Sequence, residues 1–236
     1  MYSITTSRFI AAMAHRSLSV TQPLAAKKML TGLMLMLVST LSSADQGAEL
    51  YGQCAACHGQ QGQGNTSLKA PALAGLNDQY VIRQLKSFQS GVRGAKSGDQ
   101  PGAQMRAAAA VLTSEESMAD VARYIQQLTP VKSQDSAAFD GDLRNGSNHY
   151  QATCGSCHGS QAQGNVLLGA PALAGQQGEY LIRQYMNYRN GLRGYDSKDR
   201  HGRQMKMMSN GLNDQQLRDV VAFILQLDPA VDVASH

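Results

Sequence analysis

"YGQCAACHGQQGQGN", residues 51–65, and "YQATCGSCHGSQAQGN", residues 150–165, are two spellings of one phrase in a single chain. Each contains C-x-x-C-H, at Cys54, Cys57 and His58 and again at Cys154, Cys157 and His158, and the pair uses all four cysteines of the 236 residues. No thiol is left for a structural disulfide or a separate nucleophile. Sliding the chain on itself by 100 positions aligns Cys54–Leu112 with Cys154–Leu212 without a gap, and 28 of those 59 positions are identical. They include "APALAG" from Ala70 and Ala170, "IRQ" from Ile82 and Ile182, and "QM" ending at Met105 and Met205. A single repeat of this length is a duplicated domain, since a solenoid uses more and shorter units. Two domains are therefore expected, 45–131 and 140–236, joined by the polar linker 132–139.

Within each copy the periodicity is helical and no convincing alternating strand is present. "NDQYVIRQLKSFQSG" places Tyr80, Val81, Leu85 and Phe88 behind an Asn/Asp start and stops at Gly91. The last helix of copy one is expected to open on a capping box of Thr113 and Glu116, with Met118, Val121, Ile125 and Leu128 on one face. Copy two offers Asn213 and Gln216, then Leu217, Val220, Val221, Ile224 and Leu227. The fold class is all-α, in two units of a size at which a bare apolar core is marginal without a further staple.

The doubled motif supplies that staple. Residues three and four apart share a helix face, so Cys54, Cys57 and His58 can address one flat ligand, as can Cys154, Cys157 and His158. Paired thiols can form thioethers with a haem's vinyl groups while the adjacent histidine ligates iron, and C-x-x-C-H is the attachment signature of c-type haem. A thioredoxin-like pair would need a βαβ context. A zinc site would be left with an incomplete ligand set in each domain. Two covalent haem c groups are expected, with His58 and His158 as axial ligands. For the sixth iron position the candidates are Met105 and Met205, the only methionines at equivalent places in the two copies. They are read as lying in a loop ahead of the last helix. The alternative is that they are core residues, with Met207 and Met208 competing in copy two.

With these residues in view, Tyr51–Leu128 and Tyr150–Leu227 each resemble a class I cytochrome c domain, and the pair resembles the dihaem cytochrome c4 family. The likeness rests on CxxCHG, "PALAG", the "Y-x-I-R-Q" helix, the spaced methionine and an aromatic in the last helix, Tyr124 or Phe223. It implies that the carbonyls of Pro71 and Pro171 accept a hydrogen bond from the axial histidines; the simpler reading is that these prolines shape a turn. It also makes Arg83, Arg93, Arg183 and Arg193 candidate partners for haem propionates, against the alternative that they are solvated helix residues. The Gly-rich stretches "GVRGAKSGDQPGAQM" and "GLRGYDSKDRHGRQM" depart from the family pattern.

Residues 1–44 carry Arg8, Arg16, Lys27 and Lys28 without an acid, then "MLTGLMLMLVSTL" and "SSA". This reads as a cleavable signal peptide ending at Ala44, because an apolar core of about 13 residues is short of the roughly 20 that span a bilayer; translation could also start at Met13. Removing it turns the net charge of +4 into 17 basic against 17 acidic residues, which removes the case for a nucleic-acid partner. The resulting expectation is a periplasmic electron carrier, not an enzyme, working between a membrane quinol-oxidising complex and a terminal oxidase or reductase. A peripheral membrane association is compatible with it. The alternatives are an electron-transfer subunit of a larger dehydrogenase or oxidase, and a dihaem peroxidase. Between Arg183 and Lys206 seven basic residues face only Asp196 and Asp199, so this side of copy two is a candidate docking face for an acidic partner.

Overall fold

The computed structural model describes residues 43–133 and 139–229. The expected leader, apart from its last two residues, and the middle of the expected linker lie outside the described residues. The first copy contributes α1 (Ser43–His58), α2 (Asp78–Gln89), α3 (Gln100–Ala109) and α4 (Glu115–Gln127). The second contributes α5 (Leu143–His149), a π-helical turn (Tyr150–Cys154), α6 (Gly155–His158), α7 (Gly178–Arg189), α8 (Arg200–Met208) and α9 (Asp214–Gln226). The described residues contain no strand, only single antiparallel bridges between Asn65 and Ala70 and between Asn165 and Ala170.

In each copy the first and last helices cross closely, and glycine makes the crossing possible. A Cβ on Gly47 would stand 2.6 Å from the Asp120 carbonyl oxygen of α4, and one on Gly146 would stand 2.5 Å from the Asp219 carbonyl carbon of α9. Aromatic pairs close the seam, Tyr51 with Tyr124 at 5.2 Å between centroids and Tyr150 with Phe223 at 5.6 Å. Val81, Leu85 and Phe88 of α2 pack on Met118, Val121 and Ile125 of α4 to form the first core. Leu217, Val220, Val221 and Ile224 of α9 centre the second.

These crossings run at an offset of 99, whereas the segment between them runs at 100. The π-helical turn absorbs the extra residue of copy two, so Tyr150 and Cys154 keep the roles of Tyr51 and Cys54 across four intervals instead of three. The register is restored before the last helix, which corrects the expected cap of copy one. Ser114, not Thr113, is the N-cap, with Ser117 in place of Glu116 closing the box. Copy one has an additional residue here, and the cap falls where the buried face of α4 requires it. Asn213 and Gln216 cap α9 as expected.

Candidate functional site

Cys54, Cys57 and His58 occupy the last turn of α1, and Cys154, Cys157 and His158 the corresponding turn of copy two. None of the four cysteines is in a disulfide. Burial pushes the Cys54 thiol up, and burial with the neighbouring Cys157 pushes Cys154 to about 11. After each histidine the chain folds straight back. Gly64 N donates to His58 O at 2.8 Å, the Asn65–Ala70 bridge closes the loop, and Tyr51 Oη donates to Gly59 O at 2.7 Å. Copy two repeats this, with Tyr150 Oη donating to Gly159 O at 2.6 Å.

The fold-back brings a proline carbonyl against each imidazole. His58 Nδ1 donates to Pro71 O at 2.8 Å and His158 Nδ1 to Pro171 O at 2.9 Å. A carbonyl only accepts, so the proton sits on Nδ1 and the lone pair on Nε2. Burial lowers both histidine pKa values, opposed in part by the proline carbonyls, so each ring is held in the neutral form that a metal ligand requires. Among the described residues no three His, Cys, Asp or Glu side chains converge to hold a metal ion by themselves.

Met105 and Met205 lie in helices α3 and α8, not in a loop. The signal is present in the sequence. Asp99 accepts from Gly102 N at 3.0 Å and Asp199 from Gly202 N at 2.8 Å, each an N-cap, and Pro101 sits in the first turn of α3. Gly94 and Gly194, with φ of 76° and 66°, let the preceding loop lie on the backbone of Gly102 and Gly202, where any side chain would collide. Met105 packs against the first core. Met205 is half-buried, whereas Met207 is 71% and Met208 42% exposed. Two residues hold the ends of these helices: Gln89, which sequence reasoning missed, donates from Nε2 to Ala109 O and Leu112 O at 2.8 and 2.7 Å, and Arg189, expected only as part of the docking face, donates from Nε to Ser209 O at 3.1 Å.

The four arginines converge on the contact between the two domains. Arg83 Nη2 donates to Gly169 O at 2.6 Å and Arg183 Nη2 to Lys69 O at 2.8 Å, a reciprocal exchange. Arg93 reaches Gln84 at 2.7 Å and Gln184 at 3.1 Å; Arg193 reaches Gln184 at 2.8 Å and Gln84 at 3.2 Å. Arg93 and Arg193 are buried, and the described residues supply no carboxylate partner to either among their ion pairs. The Nε atoms of Arg83, Arg93 and Arg183 are buried without a hydrogen-bond partner. An unpaired buried donor costs about 1–3 kcal/mol, so each of these Nε atoms has room for a further acceptor. Of the expected docking residues, Arg193 is buried, Arg183 is tied to Lys69 O of the other domain, and Arg189 pairs with Asp214 at 2.7 Å. Arg200 and Arg203 are exposed. The +5 face is smaller than the sequence suggests, because charge counting cannot see the domain contact.

The Cytochrome c family model matches residues 44–129 and 143–228. Cytochrome c4 of Azotobacter vinelandii is 26% identical over 188 residues, 72% of this chain and 82% of the relative. The thiosulfate dehydrogenase electron acceptor of Stutzerimonas stutzeri (strain A1501) is 30% identical over 197 residues, 77% of this chain and 88% of the relative. Reduced cytochrome c4 from Pseudomonas stutzeri superposes with a TM-score of 0.64 at 26% identity, covering 78% of this chain and 98% of that one. Thiosulfate dehydrogenase (TsdBA) from Marichromatium purpuratum superposes with a TM-score of 0.61 at 25% identity, covering 80% of this chain and 41% of that one. The chain belongs to the cytochrome c family, as a tandem pair of its domains, and within it to the dihaem cytochrome c4 group. It carries two covalent haem c groups, one for each CxxCH, and its function is electron transfer. Among the described residues no helix is long and apolar enough to cross a membrane.

Proposed function

We propose that the chain is a periplasmic carrier that accepts and passes on electrons as a separate protein, with His58 and Met105 binding one iron and His158 and Met205 the other. The observation that carries this reading is the histidine-to-proline hydrogen bond made twice, once in each copy; Met105 packed on the first core and the half-buried Met205 are in keeping with it. Haem iron supplies one-electron chemistry between its ferrous and ferric states. The residues do the rest. Cys54, Cys57, Cys154 and Cys157 fix the groups by thioethers, and Pro71 and Pro171 hold each imidazole ring and its tautomer. A methionine in the sixth position closes it to substrates and raises the potential, which argues against peroxidase chemistry. Arg83, Arg93 and Arg183 offer their unpaired Nε atoms to the propionates, and Arg193 adds a buried charge beside them. Anions there would neutralise a contact that otherwise holds two buried guanidinium groups against amides and phenols.

A redox enzyme that oxidises a quinol or an inorganic sulfur compound fits as donor and a terminal oxidase or reductase as acceptor. The name of the Stutzerimonas relative points to thiosulfate dehydrogenase as one such donor. The exposed run Val166, Leu167 and Leu168, with Leu167 97% exposed, and the exposed Arg200 and Arg203 favour docking through the second domain of a redox protein with an acidic rim. The TsdBA likeness supports a second reading, a fixed subunit of a dehydrogenase. Purification of the native protein separates the two: a carrier elutes alone and is reduced catalytically by added dehydrogenase, whereas a subunit copurifies with a catalytic chain. Arg200→Glu with Arg203→Glu should slow reduction by the partner at low ionic strength and leave it unchanged at high salt. An unaltered salt dependence would remove the docking assignment.

A further inference from the structure

The two domains differ where they touch. Positions 76 and 77 are Leu and Asn, and their counterparts are Gln176 and Gln177. In copy one these residues serve their own domain: Leu76 is in the first core, and Asn77 Oδ1 accepts from Tyr80 N at 3.3 Å to cap α2. Helix α7 has no such cap. Its N-cap residue, Gln177, turns its amide to the other domain instead, Oε1 accepting from Ala72 N at 3.2 Å and Nε2 donating to Ala70 O at 3.3 Å. A helix start left uncapped is a local loss of stability, so the contact that replaces the cap is a built one. Gln176 grips Ala72 at both ends, Oε1 accepting from its N at 2.8 Å and Nε2 donating to its O at 2.9 Å. Both glutamines are 6% exposed.

Ala72 N belongs to the same peptide unit as Pro71 O, the acceptor of the His58 proton. That peptide therefore receives from His58 at its oxygen and gives to Gln176 at its nitrogen. Hydrogen bonds in such a chain polarise one another: drawing on the N–H makes the carbonyl a stronger acceptor, which makes the imidazole more basic at Nε2. No side chain among the described residues makes the corresponding contact to Ala172 N, and Leu76 has no amide with which to do so.

We propose that Gln176, supported by Gln177, is a positioning residue that acts across the domain contact on His58, lowering the reduction potential of the first-domain haem relative to the second. The proposal rests on His58 and His158 being axial ligands. Its effect is to bias an electron shared by the two haems toward the second domain.

The test uses the full-length holoprotein. Gln176→Leu installs the residue of copy one, and Gln176→Met keeps the side-chain length without an amide, so the domain contact survives in at least the second. Redox titration should show the first-domain midpoint raised in both variants and the second-domain midpoint unmoved, shifting the electron distribution toward the first domain by roughly twofold or more. In the reduced wild type, the Nδ1 proton of His58 should resonate downfield of that of His158, a readout that needs no variant. Equal proton shifts, or midpoints that stay fixed or move together, overturn the proposal. His58→Gln tests the ligand assignment separately: it must abolish the native ligation spectrum of one haem whatever the glutamine variants do.

Discussion

Alanine in place of glycine should have opposite effects at three places in the equivalent first helices of the two domains. Gly52 lies inside α1, exposed, with nothing within 4 Å of a methyl placed on its Cα. Gly52→Ala should therefore gain the full helix propensity difference, about 1 kcal/mol, and raise the melting temperature of a domain this size by about 4–8 °C. At Gly146 the same methyl would lie 2.5 Å from the Asp219 carbonyl carbon and 3.1 Å from Phe223 Cβ. The first of these neighbours is backbone and cannot rotate aside, so α5 and α9 must part. Overpacking of this kind costs about 1–3 kcal/mol, and with contacts this short the upper end applies, leaving a net loss of about 2 kcal/mol after the propensity gain. Gly47, with Asp120 O at 2.6 Å, should fall between the two, near neutral to mildly destabilised. Thermal unfolding followed by far-UV circular dichroism and by haem absorbance reads all three, and Gly146→Ala should also lower haem attachment to Cys154 and Cys157, whose helix it displaces. A Gly146→Ala protein as stable as Gly52→Ala would refute the close-crossing account of the fold.

Replacing Met105 or Met205 by Leu should each remove about half of the methionine-to-iron charge-transfer absorbance and lower one midpoint, whereas Met207→Leu and Met208→Leu should change neither; spectroelectrochemistry checks this. Lys69 is exposed at φ 57°, where copy two has Gly169, so Lys69→Gly should stabilise the first domain by about 1 kcal/mol in chemical denaturation. Burial would raise the Asp219 carboxyl, but donation from Asn145, Gln215 and Asp142 N outweighs it and holds the pKa below the usual value. A depressed carboxyl contributes stability above its unfolded pKa and loses it as pH falls through the folded value. Asp219→Asn should therefore weaken the second domain at neutral pH, and the difference from wild type should close in acid, as read by unfolding at a series of pH values.

What the sequence reveals and what it hides have physical causes. The CxxCH motifs, the prolines and the paired methionines are local or repeat at a constant offset, so counting identities is enough to find them. The one-residue changes of register at Tyr150–Cys154 and before Ser114 are invisible to that count, because the aligned block begins after the first and ends before the second. Asp99 and Pro101 announce α3, yet the glycines and charges around them read as loop when the cap is not looked for. The arginines read as charges without an address. Their partners, Gly169, Lys69, Gln84 and Gln184, are distant in sequence or belong to the other domain, and only the packing of the two copies brings them together. Gln176 and Gln177 are hidden for the opposite reason: they are positions where the repeat fails, and a comparison built on identity passes over them.

On the proposed function the chain holds two covalent haems, each closed by histidine and methionine. Intact mass together with the ferric absorption spectrum tests it on one sample. The expected result is a mass increment of two haems per chain, low-spin spectra throughout, and a methionine-to-iron charge-transfer band at the strength of two sites. A single haem, or a second haem that is high-spin and binds added ligand without displacing methionine, would contradict it.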